Sequence, residues 1–185
     1  MKKATLCAVV LLALAMTASA QTNIDFTSLS PTAVPLAVPE GYAGLNWTGV
    51  DYVSPLLWSY AGDGFFTGPE VMVGFGGGPL CYKKHGGQTI KNICSAAVAA
   101  GVGPNALSQF TPVSVDMSEG WSSDGTQSVV VQAYSDGNLM GSQTFSLGTP
   151  AQLFTLVFPN WGPITELKFI PSPGGSFVIY VLRIQ

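Results

Sequence analysis

The sequence predicts an all-β fold, an antiparallel β-sandwich or jelly roll, on three observations. Apolar residues recur with a period of two in nearly every stretch, which suits strands with one buried face. Clusters of Gly, Pro, Asn and Asp interrupt these runs about every eight to twelve residues. The composition also leans toward short strands and tight turns, with 22 Gly, 13 Pro and only 9% charged residues among 185.

Each element follows from its own pattern. In NIDFTSL, Ile24 and Phe26 share a face; in GLNWTGVDYV, Leu45 and Trp47 precede Val50 and Tyr52, and Gly49 between them could mark a bulge. EVMVGF places Val71, Val73 and Phe75 on one side, and FTPVSVDM does the same for Val113, Val115 and Met117, with Pro112 at a strand start or edge. QSVVVQAYSDGNLMGSQTFSL carries the strongest local signal, because two alternating runs flank Asp136-Gly137, a dipeptide that supplies the positive φ values of a tight hairpin. QLFTLVF, ITELKFI and SFVIYVLRI complete the strands. No stretch competes strongly as a helix; Ser95–Gly103 has local helix formers, but two glycines and Pro104 limit it to a short helix of about two turns, packed beneath the stapled loop or part of a mobile insertion, within a loop insertion spanning 76–106.

The N-terminus predicts export. MKKATLCAVVLLALAMTASA has two lysines, an apolar run and Ala18-Ser19-Ala20, the order of a signal peptide cleaved after Ala20. The run is too short to span a bilayer, so a single domain over 21–185 is expected outside the cell, without membrane insertion. Of the seven basic residues, Lys2 and Lys3 leave with the peptide; the five that remain face ten acids, a net charge of −5. Nucleic acid and anionic membranes select basic surfaces and are poor partners for such a chain. Two cysteines survive cleavage, Cys81 and Cys94, and an oxidising compartment would pair them. The bond would staple the loop CYKKHGGQTIKNIC for roughly 3 kcal/mol at most.

Three stretches together carry a resemblance. IDFTSL at 24–29 with VPEGYAGLNW at 38–47, YAGDGFFTGPEVMVGF at 60–75, and the hairpin from Trp121 to Phe145 are similar in order and spacing to a family of secreted proteins of fungi and bacterial exported proteins. That family opens near I-D-F-[DE]-x-L, continues P-x-G-Y-x-G-[LF]-x-W, and has a W-x-D-G hairpin. The resemblance implies a jelly-roll, galactose-binding-like sandwich similar to carbohydrate-binding modules, with no established catalytic centre. Relatives often tie the first strand to the last with calcium. Here Thr27 stands at a family acidic position and Tyr180 where a carboxylate is expected, so only Asp25 remains near and the calcium site is expected to be lost.

The chemistry-bearing residues point the same way. His85 is the only histidine, no G-x-S-x-G elbow exists, and Cys81, Cys94 and His85 match no common zinc spacing, so neither serine catalysis nor a metal or cofactor is expected. GFGGGP at 74–79 lacks the context of a phosphate loop. Asp63, Asp124 and Asp136 sit in glycine-flanked turns, and Asp116 with Glu119 is a weak candidate acid pair. Lys83, Lys84 and His85 read as a solvated basic loop. Trp47 and Trp121 are expected in the core, while Trp58, Tyr60 and Tyr82 are the candidate ligand-binding aromatics, because sugars stack on aromatic faces. Trp161 stands in a turn, and Asn46-Trp47-Thr48 is a glycosylation sequon on a strand, an awkward acceptor. The expected function is a secreted non-catalytic module for polysaccharide or glycoprotein; the alternative is a secreted structural or protein-interaction protein.

Overall fold

Period-two patterning does become strands. The computed structural model describes residues 20–30, 32–33, 36–54, 73–76, 96–101, 106–119, 127–148, 152–156, 162–172 and 177–185. In chain order the strands are β1 (Thr22–Ile24), β2 (Leu36–Ala37), β3 (Leu45–Thr48), β4 (Val50–Val53), β5 (Val73–Gly76), β6 (Ala96–Ala100), β7 (Pro112–Glu119), β8 (Gln127–Ser135), β9 (Asn138–Leu147), β10 (Gln152–Thr155), β11 (Glu166–Pro171) and β12 (Phe177–Ile184). All the pairings are antiparallel and fall into two sheets. One runs β10, β7, β12, β5, β4, β2, with β1 also on β12; the other runs β3, β6, β11, β8, β9. β7 lines one edge of β12, so β5 and β1 share the opposite edge, at Phe177–Ile179 and Leu182–Ile184 respectively.

The core lies between the sheets. Leu45, Trp47, Val98, Val129, Val131, Leu167 and Phe169 from one sheet meet Val50, Tyr52, Val115, Met117, Phe177, Ile179 and Leu182 from the other. Phe169 stacks on Phe177 across the gap at 5.7 Å, and Phe145 meets Phe154 at 4.9 Å. Fully burying one such side chain stabilises the fold by about 1.5–3 kcal/mol. The alternation that predicted Ile24 with Phe26 and Leu45 with Trp47 on one face is the alternation that buries them.

Two motifs of the opening stretch form one packed unit. The Phe26 ring meets Trp47 edge-on at 5.3 Å and stacks on Tyr42 at 5.8 Å. The Trp47 indole N–H donates to the Tyr42 carbonyl at 3.0 Å. Phe26 holds a left-handed φ of 60°, which costs a non-glycine residue about 1–2 kcal/mol; full burial of its ring offsets that cost.

Three expectations need adjustment. Gly49 is no bulge within a strand: with φ 65° it turns the chain from β3 in one sheet to β4 in the other. The expected helix at 95–103 is instead strand β6 over Ala96–Ala100, paired to β3 on one side and β11 on the other. Alanine prefers helix by a fraction of a kcal/mol per residue, whereas ladders on both edges satisfy the backbone and bury Val98 completely, so tertiary pairing prevails. Residues 76–106 are therefore not simply a loop insertion, since 96–100 is an interior strand of the five-stranded sheet. By contrast, Asp136-Gly137 forms the expected tight turn, with φ of 49° and 81° joining β8 to β9.

Candidate ligand-binding face

The five-stranded sheet buries Trp47, Val98, Leu167 and Ala133, so alternation turns their neighbours outward. Register then aligns those neighbours in rows. One row runs Asn46, Ala99, Glu166, Tyr134, Leu139; the next pairs Lys168 with Gln132 and Gln132 with Ser142. The Tyr134 hydroxyl donates to Gln132 Oε1 at 2.8 Å. Lys168 Nζ lies 4.4 Å from the centre of the Tyr134 ring and 3.4 Å from Glu166 Oε2. Ser142 and Thr144 are exposed on the adjoining strand.

These contacts orient more than they stabilise. An exposed cation–π contact is worth about 0.5–1 kcal/mol, and an exposed ion pair about 0–1 kcal/mol. The lysine and glutamate side chains keep 35% and 29% of their surface in solvent. Thr165 anchors the strand end beneath them: its N–H donates to the Tyr134 carbonyl at 2.9 Å, and its Oγ1 accepts from the Asp136 N–H at 2.9 Å. The result is an aromatic ring beside an amide, an ammonium, a carboxylate and two hydroxyls on one sheet face. Such a face can stack on a ring of C–H groups where the Lys168 ammonium moves off the Tyr134 ring, and read hydroxyls around it. In the first row Asn46 Oδ1 is buried without a hydrogen-bond partner among the described residues.

The opposite outer face, on the seven-stranded sheet, is more closed. Arg183 Nη2 donates to Asp116 Oδ2 at 2.8 Å, and Asp116 in turn holds the guanidinium above its ordinary pKa, chiefly through that hydrogen bond. Tyr180 sits at a bulge in β12, buried, with its hydroxyl 3.0 Å from Ser118 Oγ. Asp51 is 8% exposed and its Oδ2 has no hydrogen-bond partner among the described residues; burial pushes its carboxyl up from the usual value. Asp25 accepts from the Thr27 N–H and hydroxyl at 3.1 and 2.8 Å.

The acids expected as a weak pair do not face each other. Asp116 and Glu119 are an odd number of residues apart on β7, so they project from opposite faces; Asp116 meets Arg183, while Glu119 is buried opposite Phe177. Trp58, Tyr60 and Tyr82, the cysteines Cys81 and Cys94, His85, Lys83, Lys84, Asp63, Asp124, Trp121 and Trp161 all lie outside the described residues. Gln132, Tyr134, Glu166 and Lys168 were not singled out from the sequence. Their signal was present as polar residues alternating with the core positions of QSVVVQAY and ITELKFI, yet nothing local says that these two strands are neighbours.

No family model matches the chain, and no curated protein does either. Solved structures do. A DUF4465 family protein from Bacteroides caccae aligns with a TM-score of 0.42 and 10% identity, over 94% of this chain and 96% of that one. TmCBM61 in complex with β-1,4-galactotriose aligns with a TM-score of 0.36 and 8% identity, over 78% of this chain and 93% of that one. The enzymatically active domain of tailspike protein 4 of bacteriophage CBA120 aligns with a TM-score of 0.36 and 13% identity, over 75% of this chain but 18% of that one. Likeness at this level carries no argument about the site, which rests on its own residues.

Proposed function

We propose that the mature chain, from Gln21, is a secreted, non-catalytic β-sandwich of jelly-roll type that binds extracellular or cell-wall carbohydrate on the outer face of the five-stranded sheet. The observation that carries this reading is the juxtaposition of Tyr134 with Gln132, Lys168 and Glu166, oriented by one another at 2.8–4.4 Å. Tyr134 supplies apolar ring surface, and the Gln132 amide and Glu166 carboxylate supply a donor and an acceptor for hydroxyls. Trp58, Tyr60 and Tyr82 are a second proposed aromatic set, and a Cys81–Cys94 disulfide would staple the loop bearing Tyr82.

The test is a glycan array with an insoluble-polysaccharide pull-down. The mature protein is compared with Tyr134→Ala, Trp58→Ala/Tyr60→Ala and Tyr82→Ala variants of verified fold. Binding lost in Tyr134→Ala alone supports the sheet-face site. Loss in the Trp58/Tyr60 or Tyr82 variants alone moves the site to those loops, and no binding by the unmodified protein overturns the reading.

A second reading, a protein-interaction module, is favoured by the β8–β9 hairpin tip, where Leu139 and Met140 are 54% and 45% exposed. A Leu139→Ser/Met140→Ser variant that stays folded but loses a protein partner while keeping glycan binding would support it.

A further inference from the structure

We propose that this face selects neutral glycans over acidic ones, and that Glu166 is the specificity-determining residue. The inference rests on the carbohydrate reading above. Among the described residues the basic side chains are Lys168 and Arg183, and each already has a carboxylate: Glu166 at 3.4 Å from Lys168, and Asp116 at 2.8 Å from Arg183. Arg183 belongs to the other sheet, so Lys168 is the described cation on this face. Its ammonium is divided between Glu166 and the Tyr134 ring, 4.4 Å away.

A ligand seated against Tyr134 meets Glu166, because the two residues are direct cross-strand partners. A sugar hydroxyl can donate to the Glu166 carboxylate and accept from the Lys168 ammonium in the same pose. A uronate carboxylate only accepts; it gains from Lys168 and is repelled by Glu166 at about the same range. The local balance is near zero, and the remaining field is that of a chain with five basic and ten acidic residues after cleavage, which repels anions at longer range. The Glu166 repulsion alone, between two like charges within about 5 Å and partly exposed to water, is worth roughly tenfold in binding and cancels what Lys168 gives. Hydroxyl-only chains use both groups and escape the longer-range repulsion.

The experiment compares binding of the mature protein to cellulose, mannan, galactan and xylan with binding to polygalacturonate and alginate, at low and high salt. It is repeated with Glu166→Gln and Glu166→Ala, each checked for the native fold by near-UV circular dichroism. The expected result is retention on at least one neutral polymer and measurably weaker retention on the acidic ones. Both variants should gain acidic-polymer binding by roughly tenfold at low ionic strength, and the gain should shrink as salt screens Lys168. Equal binding of neutral and acidic polymers by the unmodified protein would overturn the selectivity and leave the carbohydrate reading standing. Failure of both variants to gain acidic binding would overturn the role of Glu166. Absence of binding to every polymer would overturn the carbohydrate reading itself.

Discussion

Replacing Gly101 with alanine distinguishes the observed strand β6 from the short helix that its alanines would allow. Gly101 follows Ala100, the last residue of β6, and packs against the turn that carries Tyr42. A Cβ at this position would collide with the Gly44 carbonyl oxygen, and would lie 2.9 Å from its carbon and 3.1 Å from the Ala106 Cβ. The obstacle is backbone and cannot rotate away. The same carbonyl accepts from the Leu107 N–H at 2.9 Å, and the Gly101 N–H donates to the Leu107 carbonyl at 2.9 Å. Overpacking costs about 1–3 kcal/mol, and weakening two hydrogen bonds adds about 1 kcal/mol each at most. A loss of roughly 1–5 kcal/mol follows, which for a domain of this size lowers Tm by about 2–20 °C. Were residues 95–103 a helix, the same substitution would stabilise it by about 1 kcal/mol. Thermal unfolding of Gly101→Ala beside the unmodified protein reads the sign directly. A Tm that is unchanged or raised would refute the close approach of Gly101 to Gly44.

The other expectations concern a core anchor and a buried acid. Trp47→Phe removes the indole N–H that shares the Tyr42 carbonyl with the Leu45 N–H and, with the smaller ring in the core, should cost about 1–2 kcal/mol, seen as a lower urea midpoint with an unchanged slope; a midpoint within error of the original would show that the indole contributes nothing. Burial raises the Asp51 carboxyl above its ordinary 3.8, so folding favours its protonated form. The stability that it contributes is complete below the ordinary value and is lost as pH rises through the folded one. Asp51→Asn should therefore raise Tm relative to the unmodified protein at about pH 7, with the advantage shrinking toward about pH 3. A Tm difference constant across that range would show that Asp51 does not titrate differently in the folded state.

Local signals were enough for the strands and the hairpin. The period of two in IDF, LNW and VSVDM places Ile24, Phe26, Leu45, Trp47, Val115 and Met117 inward, and all of them are buried. Asp136-Gly137 needs no partner from elsewhere to adopt positive φ, so it was legible as a turn. β6 was misread because propensity is a local quantity while ladder pairing is not. AAVAA gains its strand conformation only from β3, more than forty residues before it, and β11, more than sixty after.

By itself the sequence determined an acidic chain of short antiparallel strands, because alternation and turn chemistry act between near neighbours. Only the tertiary structure decided the candidate site. Tyr134 meets Lys168 and Glu166 because β8 pairs with β11 rather than with the next strand after its hairpin, and that choice is set by the packing of two whole sheets around a shared core.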